Sequence, residues 1–294
     1  MRRGSWTMAR HDPPAPDRDW ITRQVIFSGN ELRLEYSGPP PKARLRAVVA
    51  FPPFDYPFEE PEGGWGSRSF SKRGIAHVCV FHRAENWHQH DEFAVALRAC
   101  RAFFGPDIAL TTYGFSMGGY AALLGARAVD ADRAVAVSPQ FSINPEVPPF
   151  DRRYALQWQA MGDWKHDIAT QMDDSRDYIV LCDPLHRMDR RQEALFPRPA
   201  SYQRVLIHGA GHAGIQTMVA MGIGETFFDL LTGAIGPATL RRAYRDRRRN
   251  SFRYLRKVGT ILHERRHPMA PHFMELAKAA EFHRLIKKWR GFHA

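Results

Sequence analysis

A serine flanked by glycines is the residue of this sequence with the clearest chemical potential. Ser116 lies in Gly114-Phe115-Ser116-Met117-Gly118, a Gly-x-Ser-x-Gly motif. A serine on a sharp strand-to-helix turn can attack a carbonyl carbon once a neighbouring base removes its proton. The glycines suit such a turn, because any side chain at Gly114 or Gly118 would collide with the adjoining strand or helix. Ser116 is therefore the candidate nucleophile.

Two histidines in one glycine-containing segment are candidates for the base. His208 and His212 belong to His208-Gly209-Ala210-Gly211-His212, which follows an apolar run typical of a strand. An imidazole exchanges protons near neutral pH. We favour His212, because it lies in the loop before the next predicted helix and can approach Ser116. His208, at the strand end, is expected to bond to backbone and stays the alternative.

Two aspartates are candidates for the acid that orients the base. Asp183 directly follows the apolar run at 178–182, and Asp189 lies six residues later. We favour Asp183, since a carboxylate at a strand tip is held in place by the sheet. Asp189 is expected instead to cap a helix that starts at Arg190. The resulting chain order is serine, acid, histidine. This order is typical of catalytic triads whose members lie on loops at the carboxyl ends of strands in an α/β sheet.

Backbone N–H groups near Ser116 are candidates for binding a developing oxyanion. Met117, the residue after the nucleophile, supplies one such group. The second is expected from the loop after the strand at 46–51, but Pro52 and Pro53 have no N–H to donate. Phe54 is therefore our preferred second donor and Asp55 the alternative.

The elements around these residues alternate between strands and helices. Val-rich apolar runs indicate strands buried on both faces of a parallel sheet, and helical spacing follows several of them. Two shorter runs around Ser28-Gly29-Asn30 indicate an antiparallel hairpin. The predicted strands span 23–27, 32–36, 46–51, 75–81, 108–115, 134–137, 178–182 and 204–207. The predicted fold class is α/β, with a mostly parallel sheet flanked by helices.

The domain prediction divides the chain into three parts. Residues 1–20 form a flexible N-terminal segment, 21–237 a catalytic α/β domain, and 238–294 a basic extension of two helices split near Pro268 and Pro271. Within the domain, 138–177 contains no clear strand and several aromatic residues. This stretch is either a small cap over a pocket or an ordinary helix packed on the sheet by its aromatic side chains.

Several of these motifs resemble the α/β-hydrolase superfamily of serine hydrolases. The resemblance rests on Gly-Phe-Ser-Met-Gly-Gly-Tyr-Ala-Ala-Leu at 114–123, Asp-Pro-Leu-His at 183–186 and Gly211-His212, and it covers roughly residues 20–235. Ser138-Pro139-Gln140 and Asn86-Trp87 are similar to uncharacterised bacterial α/β hydrolases, some of them associated with surface polysaccharide. This narrower resemblance identifies no substrate.

The motifs together predict acyl transfer from a small-molecule ester or thioester through a Ser116, His212 and Asp183 triad. Water as acceptor makes the protein a hydrolase, and an alcohol as acceptor makes it an acyltransferase. Phe115, Asn86 and Trp87 are expected to line the substrate pocket. No cofactor is expected. The histidine-rich patch His82, His88, His90 and Asp91 lacks a full ligand set on one helix, so no metal is expected either.

The charge of the chain is concentrated at one end. The net charge is +11, and the segment 238–294 contains about sixteen Lys and Arg against about four Asp and Glu. This tail is expected to be a solvated helix face or to bind an acidic protein or surface. Three cysteines in apolar segments, no signal-like apolar run and no membrane-length run predict a cytoplasmic protein. The competing hypothesis is a catalytically silent hydrolase-fold module whose basic helices bind a partner.

Overall fold

The computed structural model describes residues 19–42, 45–57, 63–161 and 163–290. Most of the predicted flexible segment, residues 1–18, lies outside this range. The described chain contains one eight-stranded sheet with the order β1-β2-β4-β3-β5-β6-β7-β8. The strands are β1 (Ile21–Ser28), β2 (Leu32–Gly38), β3 (Arg46–Phe51), β4 (Ala76–His82), β5 (Ala109–Phe115), β6 (Arg133–Val137), β7 (Asp177–Cys182) and β8 (Tyr202–Leu206).

The sheet is parallel except at one edge. Strands β3 to β8 pair in parallel, whereas β1 with β2 and β2 with β4 pair antiparallel. Strand β4 is buried along its whole length and β1 is largely exposed, as expected for a central and an edge strand. This arrangement confirms the predicted fold class and its N-terminal antiparallel hairpin.

Helices cover both faces of the sheet. They are α1 (Ser67–Ser71), α2 (Phe93–Phe104), α3 (Met117–Ala128), α4 (Ala155–Met161), α5 (Arg187–Glu193), α6 (Gly214–Ala220), α7 (Gly224–Leu231), α8 (Pro237–Arg248), α9 (Phe252–Glu264) and α10 (Ala270–Arg290). Helices α2 and α3 bury their apolar side chains in a core cluster on one face. Helices α7 and α8 contribute to a second cluster on the opposite face. None of the described helices is long and apolar enough to cross a membrane.

The stretch 138–177 is an irregular segment that contains α4 and a short 3-10 helix, Ile168–Thr170. Helix α4 itself has no buried residue. Tyr154, Trp158 and Trp164 are partly buried against the core cluster of α2 and α3. Aromatic side chains thus attach the segment to the core, as in the packed-helix alternative. Helix α4 itself is poorly buried, as in the cap alternative.

The basic C-terminal region has three helices where the sequence predicted two. The first predicted helix is interrupted after α8, and the Ser251 hydroxyl then caps α9 by accepting a hydrogen bond from the Tyr254 N–H at 3.5 Å. Helix α8 belongs to the body, because Leu240 and Tyr244 are fully buried in the second core cluster. The domain boundary predicted at Pro237 therefore separates α8 from residues that pack on it. Helices α9 and α10 pack mainly on each other.

Candidate active site

The carboxyl ends of the parallel strands bring the chemically important residues to one edge of the sheet. Phe51 at the end of β3 pairs with Gly114 on β5, and Phe115 pairs with Val137 at the end of β6. Val137 in turn pairs with Leu181 near the end of β7. The loops after these strands consequently meet around Ser116.

Ser116 lies on a strained turn between β5 and α3. Its backbone has φ 57 and ψ −118, a region that residues with side chains rarely adopt. A Cβ atom on Gly114 would collide with the Gly118 carbonyl, and one on Gly118 would collide with the Phe51 carbonyl. The Ser116 N–H donates to the Val137 carbonyl at 2.9 Å, which ties the turn to β6. The motif therefore forms the sharp strand-to-helix turn expected from its sequence.

His212 is the histidine that the structure places against Ser116. Its Nε2 lies 3.1 Å from Ser116 Oγ, within hydrogen-bonding distance. The His212 carbonyl accepts a hydrogen bond from Ser138 Oγ at 2.9 Å, and the Phe115 ring lies 5.0 Å from the imidazole between centroids. His208 instead lies in the turn after β8, where its carbonyl accepts a hydrogen bond from the Tyr244 hydroxyl at 2.8 Å.

The acidic partner of His212 is Asp189, which corrects our preference for Asp183. Asp189 Oδ2 lies 2.7 Å from His212 Nδ1. The Asp183 carboxylate accepts hydrogen bonds from the N–H groups of Leu185, Gly209 and Gly211 at 2.8–2.9 Å. Asp183 thus stabilises the loop that leads to His212, and both of its carboxylate oxygens accept hydrogen bonds from backbone N–H groups.

The position of α5 explains why the sequence favoured Asp183 although Asp189 is the aspartate that contacts His212. We expected Asp189 to cap a helix starting at Arg190, but α5 begins at Arg187 and its cap is His186. Asp189 therefore lies in the first turn with its side chain 0% exposed. One signal for this was His186, which precedes Asp189 by three residues, the spacing at which an N-cap side chain meets a backbone N–H of the first turn.

Asp189 is surrounded by cationic or protonatable groups. Burial alone raises the pKa of its carboxyl, but the adjacent imidazoles of His186 and His212 outweigh burial and lower that pKa to about 2. Arg153 Nη2 lies 3.6 Å from Asp189 Oδ1 and is itself paired with Asp151 at 2.7 Å. Asp189 is therefore an anion under ordinary conditions and favours the His212 tautomer with a proton on Nδ1.

The two expected oxyanion donors lie on elements that adjoin Ser116. Met117 is the first residue of α3, where backbone N–H groups lack partners within the helix. The β3 loop lies against this helix end, because a Cβ on Gly118 would also lie 2.5 Å from the Pro52 carbonyl oxygen. The Asp55 N–H already donates to Glu85 Oε1 at 2.9 Å. Of the two alternatives for the second donor, this favours Phe54.

The three residues expected in the pocket have different positions. Phe115 lies beside His212, as described above. Trp87 is fully buried, donates from Nε1 to Gln140 Oε1 at 3.1 Å, and packs on Tyr154 at 4.7 Å between ring centroids. Asn86 directs its side-chain nitrogen to His90 Nδ1 at 3.3 Å. Trp87 and Asn86 therefore support the loop after β4, whereas Phe115 packs on the His212 imidazole.

The histidine-rich patch forms a buried aromatic cluster. The rings of His82, His88 and His90 lie 5.0–6.4 Å apart between centroids. Burial lowers the pKa of His82 to about 4 and lowers that of His88 well below its ordinary value, so both rings are neutral. Among the described residues, no group of three or more His, Cys, Asp or Glu side chains is arranged to hold a metal ion.

Comparison with known proteins gives distant structural likenesses only. No family model matches the sequence, and no curated protein matches it. The capsule O-acetyltransferase of Neisseria meningitidis serogroup A is 13% identical with a TM-score of 0.48, covering 70% of this chain and 93% of that chain. Thermogutta terrifontis esterase 2, phosphoramylated by tabun, is 15% identical with a TM-score of 0.48, covering 77% and 98%.

A third solved structure, DcsB in complex with its substrate analogue, is 14% identical with a TM-score of 0.47, covering 77% of this chain and 99% of that chain. Likenesses this distant carry no argument about activity. The function of this chain has to follow from its own side chains.

Proposed function

We propose that this protein is a serine hydrolase that cleaves an ester or thioester through Ser116, His212 and Asp189. The observation that carries the proposal is the continuous chain of contacts between the three side chains. Ser116 Oγ lies 3.1 Å from His212 Nε2, and His212 Nδ1 lies 2.7 Å from Asp189 Oδ2. This is the geometry that converts an otherwise inert hydroxyl into a nucleophile.

The first half-reaction forms an acyl-enzyme. Ser116 Oγ attacks the carbonyl carbon while His212 Nε2 takes the hydroxyl proton, and the Met117 and Phe54 N–H groups donate to the resulting oxyanion. The bond from carbon to the alcohol oxygen or thiol sulfur then breaks. His212 returns the proton to that leaving group, while Asp189 stabilises the imidazolium throughout.

The second half-reaction regenerates the enzyme. Water attacks the acyl carbon and gives its proton to His212, and the bond to Ser116 Oγ breaks with return of that proton to the serine. The products are a carboxylic acid and the free hydroxyl of Ser116. An alcohol in place of the water gives a new ester, so the same residues support acyl transfer when an acceptor alcohol binds.

A fluorophosphonate probe tests the proposal directly, because it forms a covalent bond only with an activated serine. We expect labelling of the wild type, loss of labelling in Ser116→Ala, and full labelling in Ser69→Ala, which removes an exposed hydroxyl on α1. Hydrolysis of p-nitrophenyl acetate should follow the same order. Absence of labelling in wild-type protein with a normal circular dichroism spectrum would count against an active nucleophile and favour the silent module.

The choice between water and an alcohol as acceptor needs a separate measurement. With the acyl-enzyme formed from a p-nitrophenyl ester or a thioester, we expect the free acid as the main product. Added alcohols of increasing size would reveal transfer if new ester accumulates while p-nitrophenol release is unchanged or faster. Dominant ester formation at millimolar alcohol would instead identify an acyltransferase.

A further inference from the structure

Helix α10 and the residue directly before it carry an unusual concentration of exposed apolar side chains. Among the described residues, eleven large hydrophobic side chains are exposed, and five of them lie within the short stretch from Met269 to Leu285. Phe282 is 65% exposed and Leu285 is 50% exposed. Isolated exposed apolar residues are ordinary, but a cluster on one element indicates a surface that contacts something.

Two of these side chains lie on one face of α10. Phe282 and Leu285 are separated by three residues, and Lys278 lies four residues before Phe282. At 3.6 residues per turn these three positions fall in one sector of the helix. The buried residues Ala270 and Ala277 lie in a different sector, where α10 packs on α9, and Met274 also faces α9, because its sulfur lies close to Gly259. We call Lys278, Phe282 and Leu285 the α10 stripe.

The same region holds the positive charge of the protein. About sixteen Lys and Arg residues against about four acidic residues occur between 238 and 290, which accounts for the whole net charge of the chain. Among the described side chains of this region, the exposed basic ones are Arg241, Arg242, Arg245, Arg247, Arg249, Arg253, Arg256, Arg265, Arg266 and Lys278. Among the described side chains of this region, the salt bridges are Arg245 with Asp246 and Lys278 with Glu275, and both are exposed pairs of little strength.

We propose that α8, α9 and α10 form a docking surface for an anionic lipid bilayer. The arginines are attracted to the negative surface potential of acidic lipids, and the α10 stripe inserts apolar side chains at the boundary between headgroups and acyl chains. A second copy of this chain fits less well, because two such surfaces repel each other. Nucleic acid would use the arginines but leaves the exposed phenylalanine and leucine without a role in phosphate binding.

The test is co-sedimentation of the full-length protein with vesicles. We expect binding to phosphatidylcholine vesicles that contain about 30% phosphatidylglycerol and little binding to pure phosphatidylcholine. Binding should fall as NaCl is raised from about 0.05 M to about 0.5 M, because salt screens exposed charges. Arg253→Glu with Arg256→Glu should weaken binding at least about tenfold. The matched control, Arg68→Glu with Arg98→Glu, reverses two exposed arginines elsewhere on the surface and should bind as the wild type.

A second pair of variants separates lipid insertion from general attraction to polyanions. Phe282→Ser with Leu285→Ser should weaken vesicle binding several-fold, whereas Leu156→Ser should not, although Leu156 on α4 is 75% exposed. The proposal would be overturned in favour of a polyanion site if Arg253→Glu with Arg256→Glu weakened heparin binding and vesicle binding equally, while Phe282→Ser with Leu285→Ser changed neither. A dimer that the apolar variant converts to monomer, without vesicle binding by the wild type, would overturn it in favour of self-association. Fluorophosphonate labelling of Ser116 is independent of all these outcomes.

Discussion

At the scale of single residues, Asp189 and Asp183 have different partners: Asp189 contacts the His212 imidazole, and the Asp183 carboxylate accepts hydrogen bonds from backbone N–H groups. Ser116 and His212 are marked by local patterns, a glycine-flanked serine after a strand and a histidine in a glycine-containing loop. The acid depends on where α5 begins and how its first turn faces the sheet, and this is a tertiary property. Two aspartates six residues apart differ in role because backbone donors already occupy the Asp183 carboxylate.

Paired aspartate variants test this assignment. Asp189→Asn removes the charge that stabilises imidazolium and permits the wrong His212 tautomer, so we expect kcat/KM for p-nitrophenyl acetate to fall by about three to four orders of magnitude. Asp183→Asn should act mainly on stability, lowering the free energy of unfolding by about 1–3 kcal/mol through weakened bonds to backbone N–H groups. Steady-state kinetics and urea unfolding of both variants measure the two effects. The opposite ranking in kcat/KM would restore Asp183 as the acid.

At the scale of elements, the strands were predictable because each central strand is an apolar run buried on both faces. All eight predicted strands occur, with bounds that differ by only a few residues. The position of β4 between β2 and β3 could not be predicted from the sequence, since strand order depends on long-range contacts. The break between α8 and α9 was also missed, because the basic sequence around Arg248 and Arg249 continues a helical composition without proline or glycine.

The turn that carries Ser116 makes a prediction at this scale. Gly114→Ala places a methyl group against the Gly118 carbonyl, and the backbone has to shift to accommodate it. We expect a loss of about 1–3 kcal/mol in unfolding free energy and a much larger relative loss of esterase activity, because the shift displaces Ser116 from His212. Gly236→Ala is the control, since a Cβ there meets no atom within 4 Å. Normal activity in Gly114→Ala would show that the turn tolerates a side chain.

At the scale of the whole molecule, buried neutral histidines link stability to pH. Burial lowers the folded-state pKa of His77 and of His82 to about 4, against an ordinary value of 6.5. The unfolded chain then binds more protons than the folded chain between these values, so stability is complete above pH 6.5 and falls as the pH drops towards 4. The loss is roughly 3 kcal/mol for each of these two histidines at the acid end of this window.

Urea unfolding at several pH values between 7 and 4 measures this dependence. His88→Phe should make it shallower, because His88 is buried, packs on Phe51 and Phe93, and has no hydrogen-bond partner among the described residues at either ring nitrogen. His263→Phe replaces an exposed histidine on α9 and should leave the slope unchanged. An identical slope in wild type and His88→Phe would mean that other groups dominate acid unfolding.

The C-terminal region also has to be judged at the scale of the whole molecule, because composition and packing divide it differently. Its charge marks 238–294 as a separate tail, but Leu240 and Tyr244 of α8 are buried in the core and the Tyr244 hydroxyl supports the His208 carbonyl. Hydrophobic spacing within a mostly charged helix is a weak signal, so the sequence placed the boundary too early. We therefore expect α8 to be required for folding.

Two truncated chains distinguish this boundary from the one that composition suggests. A chain ending at Ile235 loses Leu240 and Tyr244, and burial of these two side chains contributes roughly 3–6 kcal/mol. Since domains are stable by only about 5–15 kcal/mol, we expect this chain to be unfolded or aggregated. A chain ending at Asn250 keeps α8 and should fold with a lowered Tm, because it still lacks the buried Leu255 and the contact of Tyr254 with Gly209. We therefore expect a cooperative thermal unfolding transition and fluorophosphonate labelling only in the chain that ends at Asn250. Labelling of the chain that ends at Ile235 would support the domain boundary predicted at Pro237.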